Sequence, residues 1–226
     1  TDHNGNTTIV NTVAGTSTAT LRTINNGYGQ SDLNSTYQKF SGSLSFPGAD
    51  ANDGGWKIVP TSEYDFGTND FTIEAWTYNN NFTVSSTHKY IMDWSTNSGS
   101  NRLSIAPQNS EAWYGTTAYN GNFRPSGFGI SGFANGSWTH WAWVKSSGNL
   151  ALYSNGNRNF TFSDSLTYNF GSDYNGDIAF NQRYGSDSNG WTGVGIHTQE
   201  VRVSSNARYS GSTYTIPTAQ FPTTAI

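Results

Sequence analysis

Apolar and polar side chains alternate along this chain in short runs separated by turn residues. The most regular run is 71–78, where Phe71, Ile73 and Ala75 fall on one face and Thr72, Glu74, Trp76 and Tyr78 on the other, the two-residue period of a β-strand. Both faces carry large side chains. Such a strand lies inside a sandwich, one face in the core between two sheets and the other partly covered by loops or a partner. Leu44 with Phe46, Trp56 to Val59 ending at Pro60, Tyr90 to Trp94, Arg102 to Ala106 and Ala112 to Gly115 read as shorter strands between turns. His140 to Lys145 and Leu150 to Tyr153 flank Ser147-Gly148 as a hairpin, and the next turn, Asn155-Gly156, tolerates the positive φ values of a type I′ hairpin. Val201 and Val203 are in phase within 195–204, and Pro217 and Pro222 mark a tail expected to run extended over the surface. No segment keeps a helical period for three turns, and no tandem repeat appears.

The expected fold class is therefore all-β, a two-sheet antiparallel β-sandwich, and the length of 226 residues fits one large domain of that kind. Residues 1–36 are mostly Thr, Asn, Gly and Ser, which suits either a polar N-terminal arm or the first strands of the sandwich; residues 37–226 hold the sandwich and its extended C-terminal tail. An arm with so little core potential needs a neighbour to order it.

Composition narrows the function classes. Aromatic residues make up 15% of the chain against 12% charged, so the core is built from rings more than from Leu and Ile. A net charge of −4 and the absence of any Lys/Arg run exclude the basic footprint of a nucleic-acid partner. No apolar run approaches the roughly 20 residues of a membrane-spanning helix. With no cysteine there is no disulfide scaffold, zinc-thiolate site or cysteine nucleophile. The Asn-, Thr-, Ser- and Gly-rich composition is that of a virion or extracellular surface.

Five segments in order, Ser43 to Gly48, Tyr64 to Trp76, Gly136 to Ala142, Leu152 to Gly156 and Glu200 to Tyr209, together resemble the laminin-G-like jelly rolls of the concanavalin A-like lectin/glucanase superfamily. The likeness extends to versions common in structural proteins of bacteriophages, marine ones especially. It implies a two-sheet jelly roll that often binds carbohydrate or protein. One fold serves lectins, glucanases and adhesion modules, so function has to be argued from a site.

The glucanases of that superfamily carry Glu-x-Asp-x-Glu on one strand; here the nearest match, Glu63-Tyr64-Asp65-Phe66-Gly67, lacks the third carboxylate. Glu74 sits mid-strand without a catalytic partner, and a strand Glu more often pairs with a cross-strand cation or faces solvent. His140 lies in a Trp-x-His pattern that favours a structural hydrogen bond. The chain is thus expected to have no catalytic residues and not to be an enzyme. For a metal, the loop containing Asp50, Asn52 and Asp53 offers oxygen ligands for at most a single structural calcium ion, although Asp and Asn beside Gly also make ordinary turns. The pentraxin arrangement is matched only at Asn101 and Gln182, without its acidic ligands. For a glycan, loop rings at Trp113, Tyr114, Tyr119, Tyr184 and Trp191 are the stacking candidates, while Trp76, Trp141 and Trp143 belong to the sandwich.

Taken together these features suggest a non-enzymatic surface or virion structural protein, a capsid decoration or tail-fibre-like adhesion module. Its expected partners are other copies of itself, scaffold proteins and host surface glycan, with neither nucleic acid nor membrane insertion. The alternative is a free-standing carbohydrate-binding lectin module; a glycoside hydrolase is a more distant third.

Overall fold

Period-two patterning becomes two antiparallel sheets packed face to face. The computed structural model describes residues 20–23, 30–32, 39–40, 43–45, 56–59, 61–79, 89–95, 102–106, 111–115, 136–171, 177–180, 192–193 and 196–222. In chain order the strands are β1 (Thr20–Thr23), β2 (Gln30–Asp32), β3 (Ser43–Ser45), β4 (Trp56–Val59), β5 (Asp65–Gly67), β6 (Phe71–Asn79), β7 (Lys89–Tyr90), β8 (Met92–Ser95) and β9 (Arg102–Ala106). They continue with β10 (Glu111–Gly115), β11 (Trp138–Ser146), β12 (Asn149–Ser154), β13 (Asn157–Ser163), β14 (Tyr168–Asn169), β15 (Asp177–Phe180), β16 (Thr192–Gly193) and β17 (Ile196–Ser204). Among the described residues the only helical turn is the 3-10 turn Ser62–Tyr64.

One sheet has six strands in the order β1-β4-β15-β8-β9-β10, the other seven in the order β13-β12-β11-β6-β17-β3-β2. β1 and β2 do not pair with each other: β1 pairs with β4 in one sheet and β2 with β3 in the other. β5 and β14 form a small antiparallel ladder, and β7 and β16 a parallel one.

The main core lies between the sheets and is ring-rich, with Phe71, Ile73, Trp141, Trp143, Leu150, Leu152, Phe160, Tyr168 and Phe170 at its centre. Burying one such large side chain contributes about 1.5–3 kcal/mol. Edge-to-face contacts such as Trp143 on Phe160 (5.7 Å between centroids) fix their orientation. The predicted split of 71–78 is realised: Phe71, Ile73 and Ala75 enter this core, while Thr72, Glu74, Trp76 and Tyr78 are buried on the opposite face. Trp76, Trp141 and Trp143 are all buried, as expected of sandwich residues.

Both predicted hairpins form. Ser147 and Gly148 (φ 49° and 73°) join β11 to β12, and Asn155 and Gly156 (φ 45° and 79°) join β12 to β13, the two consecutive positive φ values of a type I′ turn. The second turn is also a contact point. Gly156 O accepts the Tyr214 N–H at 2.8 Å, an approach so close that a Cβ at 156 would collide with the Tyr214 carbonyl.

The C-terminal segment packs on the outer face of the seven-stranded sheet. Ala207, Tyr209 and Tyr214 pack there on a second, separate cluster formed by Ala142, Val144, Ala151 and Tyr153.

Candidate functional site

Of the sequence-predicted site residues, Asp50, Asn52, Asp53, Tyr119, Tyr184 and Trp191 lie outside the described residues. Trp113 and Tyr114, read from sequence both within the strand Ala112 to Gly115 and as candidate ligand rings, stand in β10, at the edge of the six-stranded sheet. Their register partners are Ser104 and Leu103 of β9. Glu111 to Gly115 pairs continuously with β9, and the strand propensity of adjacent aromatic residues suits edge pairing. Asp65 and Phe66 begin the short strand β5, with Gly67 at φ 59° closing it.

The most developed polar constellation is on the outer face of β6. Register places Glu74 opposite Ala142 of β11 and Arg202 of β17, and its side chain is 0% exposed. One carboxylate oxygen accepts from Arg202 Nε at 2.6 Å, and the other accepts from the Tyr209 hydroxyl at 2.6 Å. His140 Nε2 lies 3.2 Å from that second oxygen, close enough to interact but off the alignment of a hydrogen bond. His140 Nδ1 shares a 2.5 Å hydrogen bond with the Tyr214 hydroxyl. Arg208 Nε approaches Glu74 to 3.9 Å. The cross-strand cation and the structural histidine expected from sequence are both present.

Burial alone would push the Glu74 carboxyl up, but the pull of His140, Arg202 and Tyr209 outweighs it and holds the group below the usual carboxylate range. Tyr209 and Tyr214 are pushed up, first by burial and then by negative charge nearby, Glu74 included. The cluster therefore works as an ionised carboxylate receiving neutral phenol and guanidinium donors.

Arg202, Tyr209, Tyr214 and Phe221 are the members that sequence reasoning missed. Tyr209 and Tyr214 stack at 3.7 Å between centroids with an 11° interplanar angle. Phe221 lies under the Arg202 guanidinium at 3.8 Å, and its N–H reaches Glu200 Oε2 at 2.7 Å. Beside this cluster, Trp76 tilts against His140 at 5.0 Å and takes the Lys39 ammonium over its ring at 4.2 Å. Lys39 and Phe40 are tied down by their N–H groups, which both reach Gln199 Oε1.

Chemically, this is a closed arrangement. A general acid or nucleophile needs reach to a substrate, whereas both oxygens of Glu74 are engaged by this chain's own donors. Among the described residues no three His, Cys, Asp or Glu side chains converge in a way that could hold a metal ion. A second buried pair, Lys145 with Asp164 at 3.3 Å, closes one end of the main core.

Comparison with known proteins bears on the fold. The family model described as Concanavalin A-like lectin/glucanases superfamily (Laminin_G_3) matches residues 50–211. No curated protein matches the chain. Similar solved structures include the binding domain of botulinum neurotoxin DC in complex with SialylT, at 14% identity and TM-score 0.57, covering 84% of this chain and 43% of that one. The binding domain of Paraclostridial mosquitocidal protein 1 is similar at 14% identity and TM-score 0.58, covering 84% and 45%. Domain 4 of AbnA, a GH43 extracellular arabinanase from Geobacillus stearothermophilus, in complex with arabinotriose, is similar at 16% identity and TM-score 0.54, covering 84% and 82%. The chain thus spans under half the length of the two toxin binding domains and most of the arabinanase domain. At these identities the likeness is one of fold.

Proposed function

The chain belongs to the concanavalin A-like lectin/glucanases superfamily, and from that premise we propose that it is a non-catalytic carbohydrate-binding module that holds its carrier at a glycan-bearing surface. The observation that carries this reading is the likeness to a domain of comparable length solved with an oligosaccharide, domain 4 of the arabinanase. The toxin structures it resembles are likewise described as binding domains. The closed state of Glu74 supports the non-catalytic half of the reading, since the carboxylate best placed on a sheet face is spent on holding the tail.

In this reading Trp113, Tyr114, Tyr119, Tyr184 and Trp191 are the candidate rings for stacking on sugar C–H faces, with Asn and Asp side chains answering the hydroxyls. Asp50, Asn52 and Asp53 are the candidate ligands of one structural calcium ion. Contacts with other copies or with a scaffold, on a virion or cell surface, are the competing role.

The test is a glycan array on the purified chain, run with calcium and again with chelator. Specific binding that is lost in Trp113→Ala or Trp191→Ala, both still folded, is the expected result. Absence of binding in both buffers by a folded sample would overturn the reading in favour of a surface assembly protein. Binding lost only with chelator would assign the calcium loop to the site.

A further inference from the structure

We propose that residues 206–222 form a strap that lifts from the seven-stranded sheet as one unit, below the threshold for unfolding the sandwich, and so gates the outer face of that sheet. Three observations converge. First, the strap's Ala207, Tyr209 and Tyr214 belong to the second cluster, and no strap residue belongs to the main core between the sheets. Lifting the strap therefore leaves the main core closed. On the sheet side the second cluster is mostly small, Ala142, Val144 and Ala151 with Tyr153, so the apolar area holding the strap is modest.

Second, the strap is held at discrete polar points and not by a continuous ladder. Its one backbone bridge pairs Thr213 with Asn157. Elsewhere Thr72 Oγ1 donates to Asn206 O and accepts from Arg208 N, and the Tyr153 hydroxyl donates to Gly211 O at 2.9 Å. The Thr213–Asn157 bridge itself is made by two bonds, Arg158 N–H to Ser212 O and Tyr214 N–H to Gly156 O. The Phe221 N–H ends the series on Glu200.

Third, besides the small apolar patch of Ala142, Val144 and Ala151, lifting uncovers charged or polar groups that water solvates well: Glu74, Arg202, His140 and the Tyr153 hydroxyl. Together they make a carboxylate, a guanidinium, an imidazole and a phenol on one sheet face, a donor and acceptor set suited to a hydroxyl-rich ligand. Segments with few buried apolar contacts and side-chain-mediated anchors open at free energies below the global value. The Tyr209 hydroxyl on Glu74 is the central latch, because it is the strap's direct bond to an ionised, fully buried group.

The inference does not depend on glycan binding, whose candidate rings are elsewhere in the chain. Native-state hydrogen exchange on the whole protein tests it. The amides of Arg208, Tyr214 and Phe221, together with Arg158 whose N–H bonds to the strap, are expected to exchange as one group, faster than the amides of β6 and β11. Tyr209→Phe removes the latch and little else. It is expected to speed that group roughly 10- to 100-fold, the worth of a hydrogen bond to a charged partner, and to leave β6 and β11 unchanged. The inference is overturned if the strap amides share the slowest rate in the protein, or if Tyr209→Phe speeds both groups equally.

Discussion

Asp164→Ala isolates the energetic meaning of a buried ion pair in this fold. Lys145 points from β11 into the end of the main core with its side chain 0% exposed, and Asp164 is only 2% exposed. The ammonium donates to Leu166 O at 2.7 Å and lies over the Tyr168 ring at 4.9 Å. Asp164 in turn accepts from the Tyr168 hydroxyl and from the Leu166 N–H. Removing the carboxylate leaves a desolvated ammonium with a single carbonyl and a ring, and strands two further donors. Breaking a buried pair on one side costs about 3–5 kcal/mol. At about 2–4 °C per kcal/mol for a chain of this size, Tm falls by roughly 6–20 °C. Replacing both partners, Lys145→Met with Asp164→Leu, removes the desolvation cost together with the attraction, so most of that loss is expected to be recovered. Thermal unfolding of the parent, the Asp164→Ala variant and the double variant, followed by circular dichroism, gives the comparison directly. A double variant as unstable as Asp164→Ala, or an Asp164→Ala variant that melts with the parent, would refute the reasoning.

Two further predictions follow from the strap and its turn. Gly156→Ala is expected to cost about 1–2 kcal/mol for the left-handed backbone alone and more for displacing the Tyr214 carbonyl. Gly148→Ala, at a similar φ with nothing near its Cβ, costs only the backbone part, and urea titrations of the two variants separate the contributions. Strap docking should also follow pH at both extremes. Because Glu74 titrates lower folded than unfolded, its contribution is full above the ordinary Glu range near pH ~4.3 and fades as pH falls through the folded value. Tyr209 and Tyr214 titrate higher folded than unfolded, so their contribution is full below pH ~10 and fades as pH rises beyond it. Exchange of the strap amides across this range checks both arms, and a flat opening equilibrium from acid to alkali would contradict them.

What the sequence made legible was local. The two faces of 71–78 could be read because the period of a strand is two residues and this segment keeps it from end to end. The Asn155-Gly156 turn was legible because few dipeptides accept two consecutive positive φ values. Glu74 could be expected to find a cross-strand cation, yet Arg202 could not be named. It lies 128 residues away, and nothing in the chain states which strands become neighbours. Tyr209, Tyr214 and Phe221 were invisible for a related reason: an irregular segment has no period, so its rings give no hint of which sheet face they cover. Asn155 and Gly156 also hid a second role, since their turn accepts the strap as well as joining two strands. Trp113 and Tyr114 were open to two readings at once, as strand residues and as ligand rings. Adjacent large rings suit a paired edge strand as readily as a binding loop, and only the register with β9 separates the two.

β17 is read in two frames. Between Gln199 and Arg202 it advances three residues while β6 advances two, from Trp76 to Glu74, and the surplus is taken up at Glu200, held at φ 55°. Upstream of that point the odd-numbered residues, His197 and Gln199, share a face with Tyr78 and Trp76; downstream it is the even-numbered Arg202 and Ser204 that share the face of Glu74 and Thr72. One surplus residue therefore sends Val201 and Val203 to the core side and Arg202 to the carboxylate. Length at this point carries as much information as side-chain identity: a chain one residue shorter here, every other residue kept, would present its valines to the strap and its arginine to the core.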